Sequence, residues 1–144
     1  MKSILLTIIL LTTFSIDGHS CDCEGERRPI EELLRTSKYI FIGTVKSVGT
    51  KTNKTGDYAE YSTIKFNVDE IFVGQKVKTV TILNENTSCG QVFEKGKRYL
   101  VYVYFDSNAN SLTVHQCYSP CPALDRSDAK TDINEIRKII KDKK

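Results

Sequence analysis

Tyr58-Ala59-Glu60-Tyr61-Ser62-Thr63-Ile64-Lys65-Phe66-Asn67-Val68-Asp69-Glu70-Ile71-Phe72 is the stretch on which the fold turns. Ile64, Phe66 and Val68 fall on one face and Lys65, Asn67 and Asp69 on the other, the period of two that a half-buried β-strand needs. Toward the N-terminus, Tyr39 to Val48 is rich in β-branched and aromatic residues and reads as the preceding strand. The polar run Gly49 to Asp57, with Asn53 and Gly56, reads as the hairpin loop between them. Toward the C-terminus, Gly74-Gln75 turns the chain. Val77 to Leu83, Arg98 to Phe105 and Ser111 to Cys117 then read as three further strands, the last two joined across Asp106-Ser107-Asn108.

A helix is expected at each end of this series. Over Pro29 to Ser37, Pro29 suits a first turn, Glu31 and Glu32 favour its N-terminal end, and Ile30, Leu33 and Leu34 make one apolar stripe. Over Thr131 to Lys141, Ile133, Ile136, Ile139 and Ile140 line one face with lysines opposite. Five strands are too few for two full sheets, and closing them on themselves removes exposed edges. The expected fold is therefore mainly β: a five-stranded OB-fold β-barrel with flanking N- and C-terminal helices. The first two strands are long, as a strand that bends to serve both ends of a barrel must be, with Gly43 and Gly49 as candidate bends.

Met1 to Ser20 reads as a signal peptide: Lys2 is the positive start, Ile4 to Leu11 the apolar middle, and Gly18-His19-Ser20 places small residues around the cut. Residues 21–144 then form one domain with Cys21 first. Lipid attachment at Cys21 is disfavoured because Gly18 stands where an aliphatic residue is wanted. No other run approaches the roughly 20 apolar residues of a membrane span. The formal net charge of +3 is too mild to imply a nucleic-acid partner. Positive residues cluster at the end, in Lys130, Arg137, Lys138, Lys141, Lys143 and Lys144, which suits a solvated helix face.

The 5 cysteines, Cys21, Cys23, Cys89, Cys117 and Cys121, point to disulfides in an exported chain, and the odd number leaves one over. A zinc site is the rival reading, but C-x-C and C-x-x-x-C do not match the usual knuckle spacings. No enzyme is expected, and no cofactor. The chain has no G-x-S-x-G, no H-E-x-x-H and no phosphate-binding loop. Of its 2 histidines, His19 leaves with the signal and His115 caps a strand end; nothing orients it toward Cys121. Asn53-Lys54-Thr55 and Asn86-Thr87-Ser88 fit glycosylation acceptors.

Cys21-Asp22-Cys23 at the mature start, the strand Tyr39 to Val45, and Cys89-Gly90-x-x-Phe93-x-x-Gly96-x-x-Tyr99-Leu100-Val101-Tyr102 before Cys117 form one constellation. It resembles the netrin-like (NTR) domain, and within it the N-terminal domain of the tissue inhibitors of metalloproteinases. The resemblance spans essentially the whole of residues 21–144. It implies an OB-fold barrel with bridges Cys21–Cys89 and Cys23–Cys117. Each would close a long loop, for about 4 kcal/mol in the chain-entropy account. It further implies an inhibitory ridge of Cys21, Asp22, Cys23, Thr87, Ser88 and Cys89, with a zinc metalloprotease as partner. The amine and carbonyl of Cys21 would chelate the protease zinc in trans, filling its open position.

The chain departs from those inhibitors in three respects. Their third bridge, from the N-terminal helix region to beyond the last helix, has no counterpart, and neither does their disulfide-rich C-terminal domain. Cys121 is left as a free thiol or an intermolecular link. Asp22 would point into a pocket of the protease that is often apolar, where an unpaired carboxylate costs several kcal/mol; a cationic pocket would reverse the sign. The alternative function is a non-inhibitory extracellular binding or adhesion module, with Cys21 and Cys23 serving only as staples.

Overall fold

The structure is a computed structural model and describes residues 23, 25–51, 61–86 and 89–143. The signal segment, Cys21, Asp22, Thr87, Ser88 and the acceptor Asn53 lie outside the described residues. In chain order the elements are α1 (Ile30–Thr36), β1 (Tyr39–Lys51), β2 (Tyr61–Val73), β3 (Thr79–Glu85), β4 (Arg98–Asp106), β5 (Ser111–Thr113) and α2 (Ser127–Asp142). The strands close into a barrel in the order β1-β2-β3-β5-β4. Every neighbouring pair is antiparallel except β3–β5, which is parallel and joined at one pair, Leu83↔Thr113. This is the five-stranded OB-type barrel expected from the strand pattern.

Its core follows from the alternation. Ser62, Ile64 and Phe66 of β2 and Val80, Ile82 and Asn84 of β3 are buried at every second position. A chain of edge-on ring contacts runs through the interior: Phe41 to Phe66 at 5.5 Å, Phe66 to Phe93 at 5.3 Å, and Phe93 to Tyr99 at 5.0 Å. β4 is buried continuously from Tyr99 to Val103 because both its faces are covered. Tyr99 faces the ring chain inside the barrel, whereas Tyr102 lies against α2, with its hydroxyl on Asp132.

β1 and β2 are 13 residues each, and they bend as the closing barrel demands. Their pairing shifts register between Ile40 and Phe41, between Ile42 and Gly43, and between Val45 and Ser47. Gly43 sits at the second shift, and a Cβ there would stand 2.8 Å from the Phe41 ring and 2.9 Å from the Asn67 carbonyl. Gly49, the other candidate bend, lies in unbroken register opposite Thr63.

Several boundaries differ from the sequence pattern: β1 runs on to Lys51, through the start of the loop expected from Gly49, and β3 spans Thr79–Glu85 rather than Val77 to Leu83. The fifth strand was expected to reach Cys117 but ends at Thr113. Beyond it the chain is turned out of the sheet, with the amide and hydroxyl of Ser119 both donating to the His115 carbonyl at 3.2 Å. The last helix begins at Ser127, four residues before the expected Thr131. Its first two turns present Ala129 and Asp132 to the interior, and Asp132 interrupts the apolar stripe that the periodicity follows.

Candidate functional site

Cys23 and Cys117 form a disulfide with Cα atoms 5.2 Å apart, closing a loop of 94 residues. A bridged thiol does not ligate zinc, so the rival metal reading fails for this pair. Cys89 is also disulfide-bonded; the pairing expected for it, with Cys21, lies outside the described residues. Cys23, Cys89 and Cys117 nevertheless meet at one place. Together with Glu85, His115 and Tyr118 they line a cleft of about 350 Å³ at one end of the barrel.

The N-terminal segment is laid along the barrel by more than its bridge. The Arg28 amide donates to the Tyr118 carbonyl at 3.1 Å, and the Arg28 guanidinium lies 5.2 Å from the centre of the Tyr118 ring. Arg27 reaches inward, its Nη1 donating to Asp132 Oδ1 at 3.1 Å and its Nη2 to Oδ2. Tyr102 also donates to Asp132 Oδ2, at 2.9 Å. Asp132 is thus a buried carboxylate with both oxygens engaged, the condition under which a buried charge is tolerated. Burial, followed by the Asp132 charge, pushes the Tyr102 hydroxyl above its ordinary range and keeps it protonated.

The segment bearing Cys89 is held from two further sides. Asn84, buried at 5% exposure, donates from Nδ2 to the Gln91 carbonyl at 2.8 Å and accepts from the Gln91 amide at 3.0 Å. In the amide orientation that satisfies both its ends, Gln116 donates to the carbonyls of Cys89 and Gly90, each at 2.9 Å.

Of the ridge residues expected from sequence, the structure brings Cys23 and Cys89 to one cleft, which Cys117 also lines. Cys21, Asp22, Thr87 and Ser88 lie outside the described residues. Cys121 is a free thiol at 4% exposure, and its sulfur donates to the Ser119 carbonyl at 3.9 Å. Burial pushes the thiol up to about 12, which leaves it a poor nucleophile, and an intermolecular bridge from it would require the surrounding chain to open. His115 packs beside Tyr104 and Tyr118. Among the described residues no three His, Cys, Asp or Glu are grouped to hold a metal. Among them, too, no helix is long and apolar enough to cross a membrane.

Sequence reasoning missed Asn84, Gln116, Arg27, Tyr102 and Asp132. The signal for Asp132 was present: an acidic residue in register with Ala129, Ile133 and Ile136 calls for a buried partner.

The fold and site define a small disulfide-stapled OB-type barrel whose N-terminal segment is bridged to the segment after β5. No protein-family model matches the chain. It is similar to a protein of Margaritifera margaritifera named an NTR domain-containing protein, with 21% identity over 113 residues covering 76% of this chain and 74% of that one. The likeness supports a netrin-like domain, and the internal disulfide fits an extracellular protein.

Proposed function

We propose that the protein is an exported netrin-like module that inhibits a zinc metalloprotease, with the amine and carbonyl oxygen of Cys21 chelating the protease zinc. The supporting observation is the convergence of Cys23, Cys89 and Cys117 on one cleft, with Gln116 bonding the Cys89 segment beside the Cys23–Cys117 bridge. A wedge held in its bound shape loses little ordering entropy on docking. An α-amino group with a pKa near 8 has a usable neutral fraction at neutral pH, and zinc draws off the remaining proton. Asp22 and Cys23, with Thr87, Ser88 and Cys89 opposite, complete the ridge in this reading. The Asp22 carboxylate selects proteases whose neighbouring pocket is cationic.

Intact mass and N-terminal sequencing of the exported protein establish first that it begins with an unmodified Cys21. An alanine added before Cys21 displaces the amine, so inhibition of a susceptible protease is expected to fall at least about 100-fold while the fold is unchanged. Undiminished inhibition by the extended protein would sink the mechanism. The adhesion reading draws on a different feature, the exposed basic residues Lys130, Arg137, Lys138 and Lys141 of α2. Binding of that kind tolerates the added alanine and is lost on charge reversal at Lys138 and Lys141.

A further inference from the structure

Lys130, Asn134, Arg137 and Lys141 recur along α2 at the spacing of a single helical face, and they form one row beside the barrel. Two hollows open along the seam between this row and the strands, and Arg137 lines both. One, of about 470 Å³, is lined by Ile71, Phe72 and Ile140 together with Lys141. The other, of about 380 Å³, is lined by Ile42, Leu124 and Ile133 together with Lys130. Ile71, Phe72, Leu124 and Ile140 are only partly buried, so each hollow offers apolar surface to an occupant. Arg137 is paired with Glu70 at 2.8 Å and lies 5.9 Å from the centre of the Phe72 ring. The two side chains are 54% and 43% exposed, a setting in which an ion pair is worth little. Among the described residues, neither Lys130 nor Lys141 has an acidic partner.

We propose that this seam is a docking groove for a partner protein, which enters it with a short acidic–apolar segment, its carboxylate on Arg137 and an apolar side chain in each hollow. Charge sets the sign of the occupant. Three cations stand along about 16 Å of helix axis. The one carboxylate among the described lining residues is Glu70. The hollows set its form. A polyanionic chain has nothing apolar to fill them and would bring unbroken negative charge against Glu70. A lipid surface is too flat to enter either. An extended peptide places alternate side chains on one face about 7 Å apart, so an apolar–x–acidic–x–apolar segment presents all three groups together. Glu70 is then a built-in competitor, from which the incoming carboxylate takes Arg137. The groove stands whether or not Cys21 chelates zinc.

The test selects displayed random peptides on the full-length exported protein and measures an enriched peptide against two charge-matched pairs of variants. Arg137→Gln and Lys138→Gln each remove one positive charge, but Lys138 lines neither hollow. Glu70→Gln and Glu135→Gln each remove one negative charge, and Glu135 also lies off the groove. Selection is expected to enrich apolar–x–acidic–x–apolar sequences. Affinity for such a peptide should fall about tenfold or more in Arg137→Gln, the size of a lost hydrogen bond to a charged group. It should rise about threefold in Glu70→Gln, where the competitor is gone. Lys138→Gln and Glu135→Gln should leave it unchanged. Equal effects within each pair would overturn the inference, since they mark general attraction to a basic helix. So would a selection that yields no such sequence or only acidic residues. Binding of a sulfated polysaccharide or of phosphatidylserine vesicles that no enriched peptide displaces would assign the face to a polyanion or a membrane instead. Should Arg137→Gln fail to fold, Glu70→Gln against Glu135→Gln decides alone.

Discussion

Arg27 and Asp132 stand 105 residues apart in the chain and meet as a two-point ion pair between the N-terminal segment and α2. Asp132 is 6% exposed at its side chain and Arg27 33%, so the pair has a sheltered acidic end and a more open basic one. Tyr102 closes the group from β4. The pair ties the region before α1 to the last helix, in a chain that has no disulfide between those two regions.

Removing the carboxylate leaves the Arg27 guanidinium without its partner and the Tyr102 hydroxyl without an acceptor. Asp132→Ala should therefore lower unfolding free energy by about 3 kcal/mol, the usual effect of breaking a sheltered pair. Replacing both partners with apolar residues, as in Arg27→Met with Asp132→Leu, should recover most of that loss. Urea unfolding of the three proteins checks both statements, and a double variant no better than Asp132→Ala would show the pair to be more than a structural tie.

Alkaline pH should destabilise the protein through Cys121. Its folded-state thiol is raised from 9.0 to about 12, chiefly by burial. Above pH 9 the unfolded chain releases this proton while the folded chain keeps it, so stability present below pH 9 is lost as pH climbs toward 12. One proton corresponds to a slope of about 1.4 kcal/mol per pH unit. Urea midpoints between pH 8 and 10 should fall for the natural chain and fall much less for Cys121→Ala. Equal slopes would contradict the assignment.

Loss of the Cys23–Cys117 bridge acts on the unfolded chain and on the N-terminal segment together. The double replacement Cys23→Ala, Cys117→Ala should reduce stability by about 4 kcal/mol, given a closed loop of 94 residues. It should also expose the Arg27–Arg28 peptide bond to trypsin, because only one backbone bond, one ring contact and an exposed ion pair with Glu32 then hold Arg28. Limited proteolysis followed by mass determination reads this directly.

Gly43→Ala should cost about 1–3 kcal/mol, the range for overpacking a filled interior. The new methyl would meet a backbone carbonyl that the β1–β2 ladder holds in place, and a ring already packed on Phe66. Thermal unfolding of this variant, compared with Gly96→Ala, separates close approach from backbone conformation, since nothing lies within 4 Å of a Cβ at Gly96.

How legible these features were depends on whether each rests on a repeated pattern or on one contact. The barrel was visible because the alternation in β2, the apolar and aromatic run of β4 and the isoleucine stripe of α2 each extend over many residues. The start of α2 was hidden because Asp132 occupies an apolar position, and only its distant partner Arg27 makes that acceptable. The end of β5 was hidden because Ser111 to Cys117 has strand composition throughout, while a cross-link and the Ser119 contacts redirect its second half. Asn84 reads as one more polar residue near a strand end. Its role depends on Gln91, and nothing in local composition announces that pairing.

The parallel join between β3 and β5 consists of one residue pair, and β5 itself is three residues long. Cys89 and Cys117, both in disulfides, follow the last residues of β3 and β5 by the same short interval of chain. The ring is therefore thinnest in backbone pairing where it is richest in covalent ties. In a reducing compartment the same chain would lie as a curled sheet with two raw borders, each a template for aggregation. Oxidation thus does for this protein what a longer fifth strand would do for another: it denies those borders to strangers.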